Sequence, residues 1–112
     1  AVLNLNGFRL TDVSAQNLGY DLEGIDPNGD DIYIEVKSLE WQGQKFRMTN
    51  NEFAVAQIKK NKYYLALVIQ NKETIEIGLV RNPIDSLKLT RQCVQWVWEC
   101  SEYEFCPIRF KI

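Results

Sequence analysis

Ile32-Tyr33-Ile34-Glu35-Val36-Lys37 decides the fold, read together with Gly19-Tyr20-Asp21-Leu22 upstream of it. Apolar and polar residues alternate along the first stretch, and successive side chains of a strand point to opposite faces. A strand from Ile32 to Leu39 therefore carries Ile32, Ile34 and Val36 on one face, and Tyr33, Glu35 and Lys37 on the other. Asp26-Pro27-Asn28-Gly29-Asp30 is a strong turn signal. It makes Tyr20 to Ile25 the hairpin partner, with Asp21 fourteen positions before Glu35. Two carboxylates and an ammonium then converge at the ends of neighbouring strands.

That set of groups suits metal-dependent phosphodiester hydrolysis. Hard carboxylate oxygens bind Mg²⁺ while leaving several waters in place. The ion polarises the phosphate and lowers the pKa of a bound water, and a neighbouring lysine offsets developing negative charge. Asp21 and Glu35 take the roles of metal ligands, the Val36 backbone carbonyl that of a third, and Lys37 that of electrostatic partner. The plainer reading is a solvated hairpin face, on which a Glu/Lys pair adds only tenths of a kcal/mol.

Moving outward, Thr49-Asn50-Asn51-Glu52 has the capping-box pattern. With Phe53, Val55, Ala56 and Ile58 behind it, the spacing predicts a helix over about residues 50–60, closed by cations at Lys59, Lys60 and Lys62. Gln57 lies on a different side of that helix from Glu52 and reads as solvated. Tyr63 to Ile69 reads as a central strand apolar on both faces. A turn at Asn71-Lys72-Glu73 leads to a strand over Thr74 to Val80, and Arg81-Asn82-Pro83 breaks the chain. Upstream, residues 1–7 read as the last turn of a helix ending at Gly7, and Phe8 to Val13 as a strand. Ser86 to Thr90 reads as a short helical or extended turn, and Val94 to Val97 and Ile108 to Ile112 have strand character.

Trp41, Lys45, Phe46 and Arg47 follow the Glu-x-Lys strand directly. They fit a nucleic-acid-contacting loop, with cations on phosphates and Trp41 on an unpaired base. They fit somewhat better a loop whose rings plug the edge of the core, since a small domain needs its aromatics for packing. Lys59 and Lys60 form a second candidate phosphate patch or a solvated helix end. Trp96, Trp98, Tyr103 and Phe105 are expected in core packing, with a docking surface as the alternative.

Composition narrows the classes. With 112 residues, 46% of them hydrophobic, the chain has material for one domain with a real core. A net charge of −2 gives no overall basic character of the kind that advertises nucleic acid. The absence of His removes Ser-His-Asp and Cys-His catalysis. Three irregularly spaced Cys fit neither a disulfide framework nor a zinc site, so reduced thiols and a cytoplasmic location are expected. The longest apolar run, Tyr63 to Ile69, is far too short to span a membrane. The opening at Ala1, inside an amphipathic segment, reads as a fragment of a larger multidomain protein.

Taken in order, Gly19-Tyr20-Asp21-Leu22, the Asp26-Pro27-Asn28-Gly29 turn, Tyr33-Ile34-Glu35-Val36-Lys37-Ser38, Thr49-Asn50-Asn51-Glu52 and Tyr63-Tyr64-Leu65-Ala66-Leu67-Val68 resemble the NO VEIN C-terminal domain family. That family in turn resembles the PD-(D/E)XK nuclease superfamily, in its Mrr-like, restriction-endonuclease-like branch. The resemblance covers about residues 7–80 and implies an α/β restriction-endonuclease-like core, residues 1–112 forming one domain with a mixed central sheet flanked by helices. It implies a Mg²⁺-dependent (or Mn²⁺-dependent) endonuclease acting on DNA, with Asp21, Glu35, Lys37 and Glu52 catalytic. Glu52 would face the site to pair with Lys37 or a metal-bound water, where the plainer reading leaves it to the capping box. It further implies a setting in a restriction or antiviral defence protein beside helicase, ATPase or methyltransferase domains. The sequence leaves the oligomeric state open, a homodimer being one option because nucleases that cut both strands often dimerise. The alternative is a nuclease fold without cleavage that binds nucleic acid or another protein. In the superfamily a preceding helix often supplies a further acid, and residues 1–6 contain none.

Overall fold

The structure is a computed structural model that describes residues 2–5, 7–93 and 97–109, the first four of them by their backbone alone. Six strands form one mixed sheet whose spatial order is the chain order: β1 (Val2–Leu5), β2 (Phe8–Asp12), β3 (Leu22–Ile25), β4 (Asp31–Leu39), β5 (Tyr63–Gln70) and β6 (Ile75–Arg81). Every neighbouring pair is antiparallel except β4 and β5, which run parallel in a register from Tyr33↔Tyr63 to Leu39↔Ile69. Parallel neighbours need a crossover, and α1 (Asn50–Lys59) provides it.

The capping signal sets the start of α1. Thr49 Oγ1 accepts from the Glu52 N–H at 3.1 Å, and Glu52 Oε1 accepts from the Thr49 N–H at 3.0 Å. Lys60 turns the chain out of the helix at φ 53° into a 3₁₀ turn over Lys60–Lys62. A second, short helix α2 (Pro83–Ser86) follows β6, so residues 87–90 are irregular. Asn17 and Gly19 both have positive φ, and they bend the segment between β2 and β3 back towards the sheet.

Alternation divides the core between the two sheet faces. Leu10, Ile32, Ile34 and Ala66 are buried on one, with Phe8, Leu22, Val36 and Tyr64 against them. On the other, Ala56, Tyr63 and Leu65 form the buried centre, and Val55 of α1 and Ile84 of α2 pack there. Gly24 lets β2 and β3 close up, since a Cβ at that position would lie 1.8 Å from the Arg9 carbonyl oxygen.

Two expectations from the sequence are corrected. The opening segment is not a helical turn, because Val2–Leu5 pairs antiparallel with β2, from Val2↔Thr11 to Leu5↔Phe8. Apolar residues at positions 2, 3 and 5 suit either a helix face or a strand, and pairing with β2 selects the strand. The aromatic tail does not enter the core either: Trp98, Tyr103 and Phe105 are exposed, and residues 97–109 form no strand. Trp96 and Val94 lie outside the described residues, as do positions 110–112 of the last expected strand.

Candidate functional site

Asp21 stands one residue before β3, where its backbone ties three segments together. Its N–H donates to the Ile34 carbonyl at 2.8 Å, and its own carbonyl accepts from the Val13 N–H at 2.8 Å. The β3–β4 register ends at Leu22↔Ile34. Beyond that point the Val36 N–H donates to Asp21 Oδ2 at 2.9 Å, so the side chain continues the ladder that the backbone has left. This fixes one carboxylate oxygen of Asp21 against β4.

Glu35 and Lys37 rise from the same face of β4, two residues apart, as alternation requires. Lys37 Nζ lies 3.3 Å from Glu35 Oε2 and 2.7 Å from Glu52 Oε1. Capping and pairing, which the sequence left as alternatives for Glu52, coexist: Oε1 takes both the Thr49 N–H and the Lys37 ammonium. Two carboxylates thus share one ammonium. Burial, then the charges of Glu52 and Asp21, push the Glu35 carboxyl up to about 7. Burial works against the Lys37 charge, but the bond to Glu52 and the two carboxylate charges outweigh it and hold its pKa above the usual value. Burial opposes ionisation of Glu52 as well, and its bonds to Lys37 and the Thr49 backbone prevail and lower its pKa.

A cleft of about 80 Å³ opens beside these carboxylates. Asp21, Glu35 and Glu52 line it, with Ser14, Asn17 and Asn51 as neutral polar neighbours that sequence reasoning had not singled out. Asn51 Nδ2 donates to the Asn17 carbonyl at 3.4 Å across the rim. Short polar residues around a turn read as turn chemistry, which is why the spacing gave no sign of them.

The basic and aromatic candidates lie elsewhere. None of Trp41, Lys45, Arg47, Lys59 and Lys60 lines this cleft. Trp41, Lys45 and Arg47 are exposed on the loop between β4 and α1, while Phe46 and Met48 of that loop turn into the core. Lys59 sits at the far end of α1, its ammonium 4.3 Å from the centre of the Tyr33 ring. Lys60 is exposed.

Among the described residues no three His, Cys, Asp or Glu side chains are grouped so as to hold a metal ion. A cation here would rest on two carboxylates, a backbone carbonyl and water. That donor set still suits Mg²⁺, which takes one or two carboxylates and keeps several waters.

Residues 4–80 match the family model described as Protein NO VEIN, C-terminal, which is more than half of the chain. The chain belongs to this family. The NO VEIN C-terminal match takes in β2 to β6 up to Val80, and with them all four residues Asp21, Glu35, Lys37 and Glu52. It leaves α2 and the aromatic tail outside. No curated protein and no solved structure matches the chain. Among the described residues no helix is long and apolar enough to cross a membrane.

Proposed function

We propose that this NO VEIN C-terminal domain is a Mg²⁺- or Mn²⁺-dependent nuclease domain with a PD-(D/E)XK, restriction-endonuclease-like core, acting on DNA phosphodiester bonds. One observation carries the reading: Asp21, Glu35 and Glu52, from neighbouring segments of the sheet and the start of α1, line one cleft, with the Lys37 ammonium bound to the last two. Three carboxylates line the cleft and one ammonium is paired with two of them, a balance short of positive charge that a divalent cation would supply. Asp21 and Glu35, with the Val36 carbonyl, are the groups that would hold it. When bound, such an ion polarises the scissile phosphate and makes a coordinated water more acidic.

The chain's own residues have separate tasks. The Val36 N–H orients Asp21. Lys37 carries a positive charge paired with two of the cleft's carboxylates, able to offset the charge that builds on phosphate oxygens in the transition state. Glu52 holds that ammonium from the helix side. We place the domain within a larger defence protein, beside helicase, ATPase or methyltransferase partners, with Trp41, Lys45, Arg47, Lys59 and Lys60 as candidate DNA contacts outside the cleft.

A second reading is a nuclease fold that binds nucleic acid without cutting it. The lack of a three-side-chain metal group among the described residues favours it. Plasmid cleavage with Mg²⁺ or Mn²⁺ separates the two, with Glu35→Ala and Lys37→Ala alongside. Cleavage by the wild type alone is the expected result. Equal cleavage by all three proteins, or none by any, overturns the nuclease reading. Salt-sensitive binding of oligonucleotides in the second case would leave the non-cleaving module.

A further inference from the structure

Tyr63 is the most deeply buried aromatic residue near the site, fully shielded from solvent at the start of β5. Its ring fills the core beside Leu65 and Ala56, a task that Phe or Leu would perform as well. The hydroxyl needs another explanation, because a buried O–H is costly unless it is bonded. It donates to the Gly19 carbonyl at 2.7 Å, joining residues 44 positions apart in the chain.

The place where it attaches matters. Gly19 is buried at φ +89°, two residues before Asp21, with no room for a side chain: a Cβ there would meet Val55 Cγ2 at 2.7 Å and the Asn51 carbonyl oxygen at 3.2 Å. The short segment Gly19-Tyr20-Asp21 is therefore held from below by the Tyr63 hydroxyl and from the side by α1. At its other end it is held by the Asp21 N–H on Ile34 and the Val36 N–H on Asp21 Oδ2. Removing the hydroxyl leaves a buried carbonyl without its donor and frees that end of the segment.

We propose that Tyr63 is a positioning residue for Asp21, its hydroxyl gripping Gly19 so that the Asp21 carboxylate is presented to the cleft at a fixed place beside Glu35. The inference rests on the metal-dependent reading above. It assigns a site role to a residue that the apolar Tyr63 to Ile69 pattern marks only as core.

Tyr63→Phe keeps the ring and deletes the grip. In the full chain, two readouts test it: Mn²⁺ affinity by titration, and amide hydrogen exchange at Asp21 and Val36. Direct partners of metal ligands typically contribute 10–100-fold to metal affinity. Tyr63 acts one step further out, through Gly19, which sets the lower end of that range as its ceiling. The expected result is Mn²⁺ binding weaker by up to roughly 10-fold, with faster exchange at Val36 and unchanged protection in the middle of β5. Wild-type exchange at Val36 in the variant overturns the proposal, as does wild-type Mn²⁺ affinity in a protein that binds the ion. Asp21→Asn is the control that keeps the two readings apart. If the wild type binds Mn²⁺ no better than Asp21→Asn, the metal reading fails, and exchange at Val36 alone still decides whether Tyr63 holds Asp21 in place.

Discussion

The Lys37 ammonium is shared between Glu35 at 3.3 Å and Glu52 at 2.7 Å, and so links the middle of β4 to the first turn of α1. The side chains of this triad are nearly withdrawn from water, at 17% exposure for Lys37, 8% for Glu35 and 14% for Glu52. Removing the ammonium costs more than either pair contributes, because both carboxylates then lose their compensation. Lys37→Ala should destabilise the fold by about 2–4 kcal/mol, near the range for breaking buried pairs. Glu52→Gln, which keeps an acceptor for the Thr49 N–H, should cost less. Urea denaturation of both variants measures the difference, and equal, small losses would show that the triad is solvated.

Glu35→Gln should move stability and metal binding in opposite directions. Burial and the neighbouring Glu52 and Asp21 disfavour a negative charge at Glu35. A neutral amide of the same shape relieves that burden, so the metal-free variant should gain about 0.5–2 kcal/mol near pH 7.5, the usual size of a successful stabilising change. The same variant should lose Mn²⁺ binding and cleavage. Thermal unfolding in EDTA beside a Mn²⁺ titration checks both halves, and a loss of stability contradicts the account of the charges.

Two glycines within strands should respond differently to alanine. At Gly24 the new methyl would lie 1.8 Å from the Arg9 carbonyl oxygen, so β2 and β3 must separate. Gly24→Ala should cost at least about 3 kcal/mol, in the range of severe backbone and packing defects. At Gly78 a Cβ meets nothing within 4 Å. Gly78→Ala should be neutral or stabilising by up to about 1 kcal/mol, through reduced freedom of the unfolded chain. Denaturant midpoints of the two variants, measured side by side, give the comparison.

Alkaline titration should leave Tyr63 silent until the protein unfolds. Burial, then the charges of Glu35, Glu52 and Asp21, raise its pKa well above the ordinary tyrosine value of 10.0. A group whose folded pKa is raised stabilises the fold fully below its unfolded pKa, and the stabilisation is lost as pH climbs from there towards the folded value. Stability should therefore decline above about pH 10, and Tyr63→Phe should flatten the decline. Phenolate absorbance recorded with circular dichroism across that range tests the point. Ionisation of all five tyrosines before unfolding would contradict it.

Much of the sheet was legible because its signals are local. The turn at Asp26–Asp30, the alternation in β4, the capping box of α1 and the apolar run of β5 each specify a short segment without help from distant residues. Asp21, Glu35 and Lys37 were legible as candidates through spacing, and Glu52 only through the family resemblance, since its capping box by itself points to a helix start. β1 was misread because three apolar positions in a short segment suit two periodicities, and the choice between them is made by β2. The Tyr63 hydroxyl left no trace, since a tyrosine within an apolar run reads as core and its partner lies 44 residues away. In the tail, aromatic composition suggested burial, but composition alone supplies no packing partner, and the described tail residues remain exposed.

The spatial order of the strands has a kinetic consequence. Hairpin-like neighbours from β1 to β4, and β5 with β6, assemble from residues close in the chain, where loop closure is cheap. The parallel joint of β4 to β5 is different: it must wait for the whole loop and helix between Leu39 and Tyr63 to be spanned. That same joint brings Glu52 to Lys37 and the Tyr63 hydroxyl to Gly19. The cleft is thus completed only by the long-range step, since the contacts of Glu52 and Tyr63 close when β5 joins β4.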